Sequence, residues 1–454
     1  MLPGSEEYQD LEYRARGGDP DAQWALGQIY FTGSNVPENM ARAARWFQKA
    51  ARRGHVEAQS HLAHMYSHGD GVQLSHRKSA WWARRAAKSN HAGAQYFLAQ
   101  SYRMGWGVPC NIKKSAKWLE LAATNGLVEA QHDLAISYYT GDGVPQDHDK
   151  SIFWMRMAAE QGNAESQYKL GIRFLREDAA EEEYQEAVLW LGRAAEQGLA
   201  AAQAWLSLCY MTGTGLESDE EEAVRWLMRA ARGGDVIAQH RLGTMYHTGT
   251  VVEESAEQAV YWIEQAAKQG SAEAQYDLAY MYHHGLGVPA DDITTVVLLR
   301  RAAEQSMPHA QYRLAEFYHE GVGVARNIAE AGKWYVKAAL LGHEEAQFKA
   351  GDLSYIGFDG PADAEKAAWW YSQAAWRGHT ESQARLGFLY SIGHGVEEDK
   401  VEAYIWYALA ATHDNEEGRE GKARVEEKLR PLELAYAKAQ EKTRSGQIAK
   451  GDID

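Results

Sequence analysis

The sequence predicts an all-α protein built as a stacked array of helix-turn-helix repeats. Three observations carry that prediction. An Ala/Ser-Gln step ends at Gln23, Gln59, Gln95, Gln131, Gln167, Gln203, Gln239, Gln275, Gln311, Gln347 and Gln383, each 36 residues after the last. A fixed period of about 20 to 50 residues marks a repeat array. An Ala-Ala pair recurs in eleven units, from Ala50-Ala51 to Ala410-Ala411. A Trp stands four residues ahead of ten of these pairs, at Trp46, Trp82, Trp118, Trp154, Trp190, Trp226, Trp262, Trp334, Trp370 and Trp406, with Leu298 in the remaining place. A Tyr closes the first half of most units, with Phe174 and Ser354 in the other two.

Each unit reads as two helices. In Glu57–Tyr66, the residues Ala58, Leu62, Ala63 and Tyr66 recur at steps of three and four, one face of a helix. Gly69 and Gly71 end it and supply the loop. Lys78 to Lys88 has no Gly or Pro and carries Ala80, Trp81, Ala86 and Ala87, the second helix. A Gly three residues past most Ala pairs stops it. Paired alanines let helix axes approach closely, and the Trp series is expected to fill the core between neighbouring units.

The pattern A-x-A-Q-x-x-L-A/G-x-x-Y-x-x-G-x-G-V, then A-x-W-x-x-x-A-A-x-x-G, resembles the Sel1-like repeat, a relative of the tetratricopeptide repeat. Residues 272–288 and 22–33 are clear copies, and the likeness covers about residues 15–411. It implies a right-handed superhelical α-solenoid of eleven repeats whose concave face holds protein or peptide partners. It also implies, by family habit, a bacterial protein. Fold alone does not fix function.

The expected organisation is one continuous solenoid over 1–411, a capping segment over 412–440 and a polar flexible tail over 441–454. In the capping segment a helix restarts near Pro431, and Val425, Leu429, Leu432, Leu434 and Tyr436 are candidates to cover the last repeat. Three units depart from the pattern. Unit five has Glu177 and Ala179 in place of the loop glycines, so a longer first helix or a reshaped loop is expected. Unit eight has Ser306-Met307-Pro308 instead of the Gly stop, and unit ten has Y-I-G-F-D-G-P in its loop.

The formal net charge of −16, from 63 acids and 47 bases, disfavours nucleic acid and anionic membrane surfaces. The acids cluster at Asp178–Glu186 and Glu217–Glu222, solvated faces or docks for a basic partner. No stretch of 18 apolar residues exists, so no membrane insertion is expected. The start M-L-P-G-S-E-E-Y-Q-D is not a secretory signal. The two cysteines, Cys110 and Cys209, lie in different units and suit a reducing compartment, so the expected location is the cytoplasm.

No catalytic constellation emerges. H-E-x-x-H, C-x-x-C and G-x-S-x-G are absent, and Gly-x-Gly recurs only as a repeat loop. The chain therefore reads as a non-enzymatic scaffold or adaptor with no cofactor and no metal site. The alternatives are a β-lactam-binding enzyme, as linked to disulfide-stapled relatives, or a dedicated regulator of immunity type.

The resemblance places groove-facing positions two residues before and after the first-helix Leu, and just past the Tyr. One row then holds Trp24, Tyr96, His132, Tyr168, His240, Tyr276, Tyr312 and Phe348. A second holds Gln28, His64, Gln100, Tyr280, Glu316 and Asp352, and a third holds His68, Arg103, Tyr139, His247, His283, His284, His319 and Glu320. Units seven to nine concentrate His, Tyr and Glu there. The partner-binding candidates are His240, His247, Tyr276, Tyr280, His283, His284, Tyr312, Glu316, His319, Glu320, Phe348 and Asp352. Rigid aromatics with polar tips suit binding surfaces. His247, His283 and His319 fall on neighbouring helices, about 10 Å apart and too far for one ion.

Overall fold

The computed structural model describes residues 5–34, 36–357 and 360–451. Among these are 25 helices and no strand. The fold is an all-α solenoid of helix pairs repeating every 36 residues, from Pro20–Thr32 with Met40–Arg52 to Thr380–Ile392 with Lys400–Ala411. The chain divides into two compact units, 1–233 and 234–454, where the sequence alone implies one continuous domain.

The first unit holds repeats one to six behind a helix the repeat pattern does not announce, Glu6–Gly17. Ser5 caps it, and Tyr8, Leu11 and Ala15 are buried against repeat one. Ala15 stands 36 residues before Ala51, so this helix acts as the second half of a repeat. The second unit holds repeats seven to eleven and two closing helices, Glu416–Glu426 and Pro431–Lys450.

Within a repeat, the loop is closed by the residue that caps the second helix. The Asn39 amide donates to the Tyr30 carbonyl at 2.8 Å, while the Asn39 side chain accepts from Arg42 N–H. Ser75, Asn111, Asp147, Asp219, Ser255, Asp291, Asn327 and Asp399 repeat both contacts. These short polar side chains satisfy helix-start donors that would otherwise be orphaned. The second loop glycine has a steric reason. A Cβ on Gly71 would lie 2.2 Å from the Met40 carbonyl carbon, at a backbone φ of 65°. Repeat seven has Val251 there at φ 68°, a strained setting for a β-branched residue.

Between repeats, the invariant Gln does the joining. Its Nε2 donates to the second alanine carbonyl of the preceding second helix, from Gln59 to Ala51 at 3.1 Å and from Gln167 to Ala159 at 2.9 Å. The same bond forms from Gln23, Gln95, Gln131, Gln203, Gln275, Gln311, Gln347 and Gln383. All eleven Gln side chains are buried. Five also accept through Oε1 from a carboxamide 30 residues on: Asn125 to Gln95, Gln161 to Gln131, Gln197 to Gln167, Gln269 to Gln239 and Gln305 to Gln275.

The first alanine of every pair is fully buried, as expected for close helix approach. The Trp series is only partly core. Trp82, Trp190, Trp334, Trp370 and Trp406 are buried, but Trp46, Trp118, Trp154, Trp226 and Trp262 are half-buried. A cation three residues on lies over several of these rings, such as Lys49 over Trp46 at 3.9 Å and Arg229 over Trp226 at 4.5 Å. The uniformly buried position is the next residue: Phe47, Ala83, Leu119, Met155, Leu191, Leu227, Ile263, Leu299, Tyr335, Tyr371 and Tyr407. Each lies 20 residues after a small first-helix residue. Phe47 lies over Gly27, Leu191 over Gly171, Ile263 over Gly243, Tyr371 over Gly351 and Tyr407 over Gly387, so that a Cβ on any of these glycines would sit 3.0 Å or closer.

The irregular units resolve as follows. In repeat five the first helix is shorter, Ala164–Phe174, and the second is longer, Glu181–Glu196, so the reshaped loop is found and the lengthened first helix is not. In repeat eight, Ser306 takes φ 65° and Pro308 opens the next helix, replacing the Gly stop. In repeat ten, the loop residues Phe358 and Asp359 lie outside the described residues. Pro431 restarts the last helix at its first turn. Val425 is buried, and Leu429 and Leu434 pack against the final core. Leu432 and Tyr436 point to solvent instead. The last helix runs to Lys450, past Glu441, where the sequence suggests a flexible tail. Arg444 anchors it, paired with Glu402 at 2.7 Å and lying over Trp406 at 4.6 Å.

The Gly27–Phe47 contact yields a test. Phe47→Ala should cost about 3–5 kcal/mol as a buried-aromatic deletion. Gly27→Ala alone should cost about 1–3 kcal/mol by overpacking. The double variant copies the Ala63/Ala83 pair of repeat two and should cost less than the sum, because the missing ring makes room for the methyl. Urea unfolding of all four proteins measures the coupling, and strict additivity would show that the two positions do not touch.

Candidate binding surface

The candidate residues lie on the first helices of repeats seven to ten, all in the second unit. Three kinds of position emerge from the geometry.

The first row is mainly a contact between successive repeats. The His240 Nε2 lies 2.7 Å from the Asp277 carboxylate of the next repeat. Tyr312 stacks on His343 with centroids 4.5 Å apart and planes at 14°. Phe348 packs against His379 at 5.0 Å. Trp24 on His55 repeats the arrangement in the first unit, at 5.3 Å. These histidines cap the following first helix: Nδ1 of His343 accepts from Ala346 N–H at 3.3 Å and Nδ1 of His379 from Ser382 N–H at 3.2 Å. His240, Tyr312 and Phe348 therefore support the stack more than they face a ligand.

The second kind stays open. Tyr280, His283 and His284 are exposed. Tyr280 and His284 rings lie 4.3 Å apart, and His283 Nδ1 lies 2.6 Å from the Asp292 carboxylate. With Tyr276, Arg313 and Phe317 they line a shallow cleft of about 40 Å³ across repeats eight and nine. His247 and Glu320 line neither this cleft nor the cavity described next.

The third kind meets in a larger cavity. His319 and Asp352 share about 420 Å³ with Tyr335, Lys349, Tyr355, Tyr371, Arg385 and Phe388. The Tyr371 hydroxyl donates to Asp352 at 2.7 Å. Burial and the Asp352 carboxylate push the Tyr371 phenol well above its ordinary range, and burial pushes Tyr335 up as well. Both phenols are therefore neutral donors at any ordinary pH. Burial likewise raises Tyr312, with the Glu316 carboxylate beside it. Glu316 pairs with Arg313 at 2.8 Å. His319 Nδ1 is buried with no hydrogen-bond partner and can accept or donate toward a bound group.

The aromatic floor of this cavity escapes the groove rows because Tyr335 and Tyr371 sit on second helices. A signal exists in the chain: only repeats nine to eleven carry Tyr after the Trp position. A further row at the position before the Trp, with Trp81, Phe153, Tyr261 and Trp369, is exposed on the second helices, each ring edge-on to its neighbouring Trp.

The Sel1 repeat model matches eleven successive segments: 20–55, 56–91, 92–127, 128–163, 164–199, 200–235, 236–271, 272–307, 308–343, 344–379 and 380–415. The structure of c5321, a protective antigen present in uropathogenic Escherichia coli strains and displaying an SLR fold, is similar at 31% identity and a TM-score of 0.77, over 98% of this chain and 95% of that one. A Sel1 repeat protein from Oxalobacter formigenes is similar at 31% identity and a TM-score of 0.56, over 69% of this chain and 91% of that one. No curated protein sequence matches the chain. Among the described residues no helix is long and apolar enough to cross a membrane. Cys110 and Cys209 are both free.

Buried histidines make stability depend on pH. Burial, with His309 nearby, holds the His343 imidazolium below its ordinary pKa. Burial also lowers His61 and His132. The unfolded chain then binds more protons than the folded one below about pH 6.5. This contribution to stability is complete above that pH and is lost as pH falls toward the folded-state values. Protonating His343 Nδ1 also removes the cap. Urea midpoints should therefore be lower at pH 5.5 than at 7.5. His343→Asn keeps a capping acceptor without titrating and should reduce that difference. An unchanged difference would remove His343 from the account.

Proposed function

We propose that this chain, which belongs to the Sel1 repeat family, is a non-enzymatic scaffold that holds a protein or peptide partner along the first helices of its second unit. The observation that carries this reading is the cavity of about 420 Å³ in repeats nine to eleven, with its tyrosine and phenylalanine walls and its His319, Lys349, Asp352 and Arg385 polar groups. Pockets that anchor peptide side chains combine apolar walls with a few convergent polar groups. The exposed Tyr280, His283 and His284 add an aromatic, hydrogen-bonding surface within the same unit. The proposed compartment is the cytoplasm, in keeping with the two free cysteines.

Selection of a random peptide library against the immobilised full chain tests the reading. Enriched peptides should lose at least about tenfold in affinity for Tyr280→Ala/His283→Ala or Tyr355→Ala/Arg385→Ala, since anchors at a few positions dominate binding. Both variants should fold normally by circular dichroism. Full retention by both would move the site off this surface. Turnover of a chromogenic β-lactam by the intact protein would overturn the non-enzymatic part.

A further inference from the structure

Among the described residues, one group of three metal-ligating side chains brings one ligand atom from each residue within 4.8 Å of the others: His64, His68 and Asp70. His64 and His68 lie one turn apart at the end of the first helix of repeat two, Val56–His68. Their rings are 4.2 Å apart and nearly parallel. Gly69 then takes φ 87°, and both Gly69 and Asp70 amides donate back to the Met65 carbonyl. That closure turns the Asp70 side chain toward the two imidazoles. Both histidines are exposed and Asp70 is half-buried, so an ion has open access.

The hydrogen bonds around His68 set its tautomer. The Ser67 hydroxyl donates to the His64 carbonyl at 2.7 Å, which leaves its oxygen lone pairs as acceptors. His68 Nδ1 lies 2.8 Å from that oxygen and 3.1 Å from the His64 carbonyl. Both neighbours accept, so Nδ1 carries the proton and Nε2 presents its lone pair. Metal-binding histidines are held in this way, with the second ring nitrogen bonded to an oxygen.

The repeat does not require these residues. The places of His64, His68 and Asp70 are filled by Gln28, Thr32 and Ser34 in repeat one and by Gln100, Met104 and Trp106 in repeat three. Neighbouring histidines have packing tasks: His55 caps the helix, His61 stacks on Phe47 and His76 on Trp106, and His91 caps the next first helix. The trio has no comparable one.

We propose that His64, His68 and Asp70 bind a divalent transition-metal cation of the zinc class. Two imidazoles and one carboxylate suit Zn²⁺, Co²⁺, Ni²⁺ or Cu²⁺ and not Mg²⁺ or Ca²⁺, which take oxygen ligands. Tetrahedral zinc places ligand atoms about 3.3 Å apart, a small side-chain closure for exposed residues. Three protein ligands leave one position for water or for a group brought by a partner.

Calorimetric titration of the untagged full chain with zinc chloride at pH 7.5 is the test. One zinc should bind per chain, and magnesium should not compete. His64→Ala/His68→Ala should weaken binding at least about tenfold, and Ser67→Ala should weaken it about tenfold through loss of the orienting bond. His413→Ala, at an exposed histidine of repeat eleven, should leave it unchanged. Circular dichroism confirms that each variant is folded. Equal zinc binding by the His64/His68 variant, or no zinc uptake by the wild type, would overturn the site.

Discussion

The stack depends on one buried hydrogen bond, from the Gln carboxamide to the alanine carbonyl eight residues earlier. A helix ends with carbonyls that lack partners, and burying one unpaired costs about 1–3 kcal/mol. In most repeats the second alanine carbonyl accepts from the amide three residues on, as Ala51 does from Gly54 at 3.1 Å, and the Gln is a second donor to the same buried oxygen. That second donor comes from the next repeat, and it is neutral and long enough to span the gap. Gln meets those demands, whereas an ammonium would carry an unpaired charge into the core. Because the bond crosses from one repeat to the next, it fixes register as well as satisfying a polar group. Its other end matters too. The Oε1 of Gln95, Gln131, Gln167, Gln239 and Gln275 accepts from the next repeat, while that of Gln23, Gln59, Gln311, Gln347 and Gln383 has no partner among the described residues. In those five cases the donor position holds Arg53, Ser89, Leu341, Arg377 or His413. The carboxamide ladder is therefore a second layer of registration that only part of the chain uses.

This bond explains what was legible in the sequence. Gln and the Ala pair recur in all eleven repeats, and the loop Gly in most, because each meets a geometric demand that few other side chains satisfy. The helix pairs and their loops follow from them, while Pro431 by itself marks the restart of the last helix. The core position after the Trp was not legible, because it changes from Phe47 to Ala83 to Leu119 to Met155. What stays constant is the small partner 20 residues earlier, which is Gly, Ala or Ser in every repeat. The Trp repeats more faithfully yet is less buried. Its long ring system reaches from the helix interface to the surface, where Lys49 or Arg229 covers it. A repeated letter thus marks a demand on shape or hydrogen bonding, and burial alone leaves many letters acceptable. The helix Glu6–Gly17 went unseen for a related reason: it has the Ala15 carbonyl that Gln23 needs but none of the other signals.

The surface was legible only in part. Groove rows drawn from one helix treat every outward position alike. In the structure the residue just after the Gln meets the next first helix in several repeats, and Tyr312, Phe348 and Trp24 end against histidine caps at its start. One turn further on, Tyr280 meets no such neighbour and remains open. The cavity walls needed a second missing piece, since Tyr335 and Tyr371 reach the surface from helices that a first-helix pattern ignores.

Histidine shows how far the distinction carries. The same side chain appears in at least three settings. His343 and His379 present a neutral nitrogen to helix amides and belong to the scaffold. His61 is wedged between Gln28 and the Phe47 ring, where burial opposes its charge. His64, His68, His283 and His284 lie outside the core, with their hydrogen bonds made to nearby residues of their own repeat. In a stack whose constant positions are fixed by the needs of neighbouring repeats, residues of the last kind carry no structural demand that explains them. Their chemistry is then the most direct guide to what the protein meets in solution.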